Sequence, residues 1–148
     1  MQPVKTSEED ITRSGCPVSL GLDIFGDRWT LLIVRDLMFG GKRQFREMLG
    51  SDEHISSNIL ADRLKMLLAQ GIVHTSGDPN HAQKVIYRLT EKGVALYPVL
   101  MAISDWSYQY RPVSDRYLAS GGSVDQVDAA QRMAELRQVH VEGMASPS

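Results

Sequence analysis

Ser56, Ser57 and Asn58 stand in a row directly ahead of a leucine-rich run. Their hydroxyls and carboxamide can donate and accept hydrogen bonds, and an asparagine can grip the N6/N7 edge of an adenine with two bonds at once. Arg63 and Lys65 follow close behind, with Asp62 beside them. The two cations suit phosphate or guanine, whereas Asp62 repels phosphate but can accept from a cytosine amino group. Lys42, Arg43, Lys84 and Arg88 add cations on either side of this stretch. The chemistry on offer is recognition of a polyanion with readable edges. Each residue also has a plainer reading. The serines serve equally well as helix caps. Arg63 fits a structural ion pair, and Lys42 and Arg43 fit a solvated surface. His81, three positions before Lys84, reads most simply as solvated.

A second chemistry belongs to Cys16, the single cysteine of the chain. It precedes Pro17, a residue that fits the first turn of a helix. A thiol at a helix N-terminus is stabilised as thiolate and gains reactivity. With no second cysteine, any disulfide must reach another molecule; the plain alternative is a small residue without a redox role. The histidines at 54, 74, 81 and 140 lack the spacing of a zinc site, so no metal is expected. No phosphate-loop glycines, nucleophile elbow or nucleophile–base pair is present. Neither an enzyme nor a bound cofactor is expected.

The elements that must position these residues follow from periodicity. Residues 56–69 carry Leu60, Leu64, Leu67 and Leu68 at helical spacing, and Gly71 ends the helix. Residues 72–75 and 85–89 read as strands, with Gly77-Asp78-Pro79-Asn80 as turn chemistry between them. The residues around the tip, from Asn80 to Lys84, could enter a minor groove. Upstream, an apolar face on Val18, Leu22 and Phe25 predicts a first helix, residues 28–38 a second, and residues 42–49 a short third. Lys42 and Arg43 are expected to open that third helix, which would cross a nucleic-acid backbone. Downstream, residues 91–110 read as a long helix that Pro98 must kink or begin. A polar-started amphipathic helix that ends in glycine, followed at once by a β-ribbon with a polar tip, is the layout of a winged helix-turn-helix, which lays one helix in the DNA major groove.

Composition is compatible with that layout. The hydrophobic share of 43% supports a core, and no apolar run approaches the roughly 18 residues of a membrane span. The N-terminus lacks a signal-peptide core, so a cytoplasmic protein without membrane contact is expected. The net charge is −2, yet residues 28–92 hold ten Lys/Arg against seven Asp/Glu. A mildly basic middle between acidic ends is weak support for a nucleic-acid partner. The expected organisation is a flexible arm at 1–14, a domain at 15–111, and an extension at 112–148. Within the extension, residues 113–122 read as loop and about 123–141 as one helix, which could extend a dimer contact, fold over its own protomer or bind an effector.

The run Cys16-Pro17-Val18, the run from Gly26-Asp27-Arg28-Trp29 to Leu37, and Phe45-Arg46-Glu47-Met48 come in a telling order. Ile55, the stretch from Asn58 to Leu64, and Tyr87-Arg88-Leu89-Thr90-Glu91-Lys92-Gly93 complete it. In order and spacing this resembles the HxlR-type transcription regulators, relatives of the MarR group, over about residues 16–111. Gly26-Asp27-Arg28-Trp29 stands where many members have Gly-Gly-Lys-Trp. The tail from Val113 has no counterpart in the minimal pattern.

The resemblance implies a mainly α fold with a small antiparallel β-wing, dimerising through flanking N- and C-terminal helices. It further implies a homodimer on double-stranded DNA, reading a palindromic operator, more in the manner of a repressor. Val18, Leu22, Leu100, Ile103 and Trp106 are the candidate dimer seam, with membership of the monomer core as the alternative; Trp29 is assigned to the core. Some members of the resembled family sense oxidants or electrophiles through a cysteine placed like Cys16. A small-molecule effector is a further candidate partner, with Tyr97, Met101 and Trp106 as candidate lining residues or simply as core. The competing reading is a winged-helix protein-interaction module that never reads DNA.

Overall fold

The computed structural model describes residues 14–77, 80–81, 84–118 and 126–142. The expected arm, the Asp78-Pro79 turn, Ala82 and Gln83 of the wing tip, and the extreme C-terminus lie outside the described residues. So do residues 119–125, which include Gly121-Gly122 and the expected start of the last helix. Among the described residues eight helices and two strands follow in the order α1 (Pro17–Phe25), α2 (Thr30–Met38), α3 (Phe45–Leu49), α4 (Ser57–Ala69), β1 (Val73–Ser76), β2 (Ile86–Leu89), α5 (Glu91–Val94), α6 (Tyr97–Tyr110), α7 (Asp115–Leu118) and α8 (Gln126–His140).

Each boundary has a local cause. Asp27 starts α2: its carboxylate accepts from the N–H groups of Trp29 (2.9 Å) and Thr30 (3.1 Å), two donors that a first turn otherwise leaves unpaired. The regular α-helix runs from Thr30, two residues later than periodicity alone suggested. Gln44 and Glu47 close a capping box on α3. That helix starts at Phe45, so Lys42 and Arg43 belong to the segment before it, not to its first turn. Ser56 caps α4 by accepting from the Ile59 N–H at 3.2 Å. Gly71, at φ +70°, turns the chain out of α4 as no β-carbon-bearing residue does cheaply. The expected long helix at 91–110 is two helices. Thr90 caps the short α5, and α6 restarts at Tyr97 with Pro98 in its first turn, where proline forfeits no bond. The expected loop at 113–122 contains α7, which the Arg116 guanidinium ties to Asp52 at 2.8 Å.

The strands pair antiparallel, with Val73 opposite Leu89, His74 opposite Arg88, Thr75 opposite Tyr87 and Ser76 opposite Ile86. The core lies between α2, α4, the base of this ribbon, α5 and the start of α6. Val34, Leu37, Leu60, Leu67, Leu89 and Val94 are all completely buried, each contributing about 1.5–3 kcal/mol by leaving water. Leu68, assigned to the same stripe of α4, is exposed; the helix buries a narrower face than the four leucines suggested. Gly93 is buried where α5 crosses the ribbon, and a β-carbon there would sit 2.3 Å from the Ile72 carbonyl oxygen.

Candidate nucleic-acid interface

One face of α4 carries Leu60, Leu64 and Leu67 into the core, so the opposite face must point outward. Ser57, Asn58, Ala61, Asp62 and Lys65 are exposed there. Ser56, also exposed, spends its oxygen on the cap and keeps its hydroxyl hydrogen free to donate.

The pose of α4 is fixed by a polar cluster at the preceding turn. Arg35 of α2 grips Glu53 with two parallel hydrogen bonds of 2.8 and 2.7 Å and also bonds Asp36 at 2.8 Å. The Arg35 hydrogen bonds pull the Glu53 carboxyl down to about 2, and the same bonds hold the Arg35 proton more tightly than usual. Ser51 donates to the buried Asp36 carboxylate. His54, at φ +59°, completes the turn in the left-handed region, a conformation costly for a residue with a β-carbon and held here by its surroundings.

This cluster claims one of the expected phosphate contacts. The Lys42 ammonium donates to Ser51 Oγ at 2.7 Å and lies 3.6 Å from Asp36. Arg43 likewise turns inward: one guanidinium nitrogen donates to the Leu37 and Lys42 carbonyls at 2.8 and 2.7 Å. Burial, with Arg88 nearby, lowers its pKa. Arg63 takes the ion-pair alternative. Its Nε donates to Asp27 at 3.0 Å and its terminal nitrogen to the exposed Asp62 at 2.7 Å. Arg88 is half-buried on β2 opposite His74.

Lys84 is exposed at the end of the wing, as is His81. The candidate residues left exposed are therefore Ser56, Ser57, Asn58 and Lys65 at α4, with Lys84 and His81 on the wing. Arg46 was not singled out from the sequence, yet it is exposed on α3. Its signal was local: it is the cation set among Phe45, Met48 and Leu49, the residues that anchor α3.

Two helices carry apolar surface that the protomer does not cover. No residue of α1 is buried. Val18 is 70% exposed, Leu22 54%, Ile103 49% and Trp106 58%, and Trp106 stacks at a tilt on the equally exposed Tyr110. Leu100, named with them, is partly buried against the core. Tyr97 is buried against Phe39, so the stripe Tyr97, Met101, Trp106 splits between core and surface and does not form one effector wall. Cys16 is exposed at the start of α1. The backbone N–H groups of Ser19, then Val18, lower its thiol pKa. Among the described residues no group of three His, Cys, Asp or Glu side chains is arranged to hold a metal, and no helix is long and apolar enough to cross a membrane.

Known proteins share this arrangement. The HTH-type transcriptional regulator YybR of Bacillus subtilis is 33% identical over 114 residues, covering 77% of this chain and 90% of that protein. The oxidised form of the redox regulator HypR superposes with a TM-score of 0.57 at 34% identity, over 66% of this chain and all of that one. Quinone-bound YodB of B. subtilis superposes with a TM-score of 0.53 at 35% identity, over 64% of this chain and 99% of that one. Residues 24–115 match the family described as HxlR-like helix-turn-helix. With its capped second helix of the turn exposed and its two-stranded wing beside it, the chain belongs to the HxlR-like winged helix-turn-helix regulators of transcription.

Proposed function

We propose that the chain is a cytoplasmic, non-enzymatic regulator that binds a palindromic operator as a homodimer and acts as a repressor. The observation that carries this reading is the polar outer face of α4, presented by a turn that the Arg35–Glu53 pair and the Ser51–Asp36 contact hold against α2. Asn58 reads adenine; Ser56 and Ser57 contact bases or phosphate; Lys65, Arg46 and Lys84 engage phosphate. Arg63, Lys42, Arg43 and Arg88 position the interface without reaching the duplex. Two copies of α4 about 34–36 Å apart match one turn of B-DNA. The exposed faces of α1 and α6, on Val18, Leu22, Ile103 and Trp106, supply the seam between protomers.

The signal enters through Cys16. Its exposure and its place at a helix N-terminus suit attack on an oxidant or a small electrophile such as a quinone. Oxidation of two such thiols, one from each protomer, would release two protons and two electrons to the oxidant and cross-link the seam.

Selection of bound sites from random duplexes, repeated with an oxidant, tests the whole reading. A single palindrome is expected, with affinity falling steeply in salt, weakened by Asn58→Ala and altered by oxidant in the wild type but not in Cys16→Ser. Equal binding to every duplex overturns it. Trp106→Asp is expected to shift the protein from dimer to monomer in sedimentation; an unchanged mass removes the proposed seam.

A further inference from the structure

The matched family region ends at residue 115, yet α8, beyond it, is built into the domain. Ala129, Met133 and Leu136 pack against the core, and His140, one turn further along the same stripe, is completely buried. Its imidazole reaches the outer edge of β2. In a two-stranded ribbon every second N–H of each strand points away from its partner and needs another acceptor. On β2 those donors are Tyr87 and Leu89. The Tyr87 N–H donates to the Arg43 carbonyl at 2.7 Å, and the Leu89 N–H donates to His140 Nδ1 at 3.0 Å.

A second histidine closes the contact from the other strand. His74 Nε2 lies 2.8 Å from the His140 carbonyl and 3.1 Å from the Leu89 carbonyl. Both partners are carbonyl oxygens, so Nε2 carries the hydrogen and donates to both. Outside this clasp, Arg137 of α8 bonds Glu91 of α5 at 2.8 Å. The charged and titratable groups facing the His140 ring are Arg43 from the segment before α3, Arg88 on β2 and His74 on β1. All three favour a neutral imidazole, the state whose Nδ1 can accept.

We propose that α8 is a brace for the wing, and that His140 is a positioning residue which fixes the ribbon at the angle at which Lys84 meets the DNA backbone. The extension beyond the family region thereby sets operator affinity without touching DNA. This rests on the DNA-binding reading above.

The test uses the full chain and the duplex selected by the wild type, with two readouts: hydrogen exchange at the Leu89 amide in free protein, and the salt dependence of binding. His140→Leu removes the acceptor and keeps the bulk. It is expected to speed exchange at Leu89 by at least about tenfold, to weaken binding by about tenfold, and to lower the salt slope by about one. His140→Asn, whose Oδ1 can replace Nδ1, is expected to restore both. Arg137→Gln, a surface change, is expected to give smaller shifts in the same directions should His140→Leu not fold. Asn58→Ala is expected to weaken binding with Leu89 exchange unchanged. Binding by His140→Leu and Arg137→Gln with wild-type affinity and slope overturns the brace, whether or not Leu89 exchange rises. A wild type that prefers no duplex instead defeats the DNA-binding reading, and the wing function with it.

Discussion

Replacing His140 by asparagine isolates one titration whose size follows from the fold. The folded imidazole is fully buried and accepts from the Leu89 N–H. Burial, then the charges of Arg43 and Arg88 and the neighbouring His74, push its pKa from 6.5 down to about 4. An unfolded chain titrates near the higher value, so it takes up the proton first as acid is added. Stability from the neutral histidine is complete above about pH 6.5, declines as the pH falls towards about 4, and is lost below that. One pKa unit corresponds to about 1.4 kcal/mol, so the full window spans at most about 3.5 kcal/mol. Roughly 2 kcal/mol of this is gone by about pH 5. Asparagine keeps an acceptor for Leu89 but does not titrate. Urea unfolding of both proteins at about pH 7.5 and about pH 5 reads the difference, with equal slopes confirming the same unfolding reaction. Wild type is expected to lose about 2 kcal/mol more than His140→Asn between the two conditions. Parallel losses would refute the idea that a buried neutral histidine clasps the ribbon.

Other substitutions test the remaining joints. Gly93→Ala forces a β-carbon to within 2.3 Å of the Ile72 carbonyl; a loss of about 1–3 kcal/mol or more is expected in the urea midpoint, and a tolerated alanine would show that α5 is free to shift. Arg63→Met and Asp27→Asn should each cost about 1 kcal/mol, with a coupling of similar size in the double variant; full additivity would mean that the 3.0 Å pair contributes nothing. Glu53→Gln should destabilise by about 1–2 kcal/mol near neutral pH. Because the folded carboxyl sits at about 2, below its unfolded value, that difference should shrink as the pH falls below about 4.5; a constant gap would contradict the paired carboxylate. Cys16 should react with iodoacetamide faster near neutral pH than a free cysteine, and an ordinary rate would remove the helix-start activation.

Much of the fold could be read from local signals, because those signals are local in origin. Leu60, Leu64 and Leu67 repeat at helical spacing, Ser56 and Thr90 are caps, Gly71 is a stop, and Pro98 marks a start. The interface was less legible. Arg63 pairs with Asp27, thirty-six positions away, and Lys42 turns to Asp36 across a reversal of the chain. Neither partner is visible in the short windows that periodicity reads. Asp27 is a cap the reading missed, although a helix expected from Arg28 places it at the cap position. The last helix looked only modestly amphipathic because the fourth position of its buried stripe is a histidine. Its partner, the Leu89 N–H, is a backbone group with no signature in the sequence. Exposed residues fared best: Asn58, Lys65 and Lys84 are where their spacing placed them.

Hydroxyl-radical footprinting on the selected duplex tests the central claim most directly. A dimer presenting two α4 helices should protect two symmetric stretches about one helical turn, roughly 10 base pairs, apart. Asn58→Ala should weaken both stretches together. A single uninterrupted footprint of no fixed sequence, unchanged by Asn58→Ala, would contradict the account.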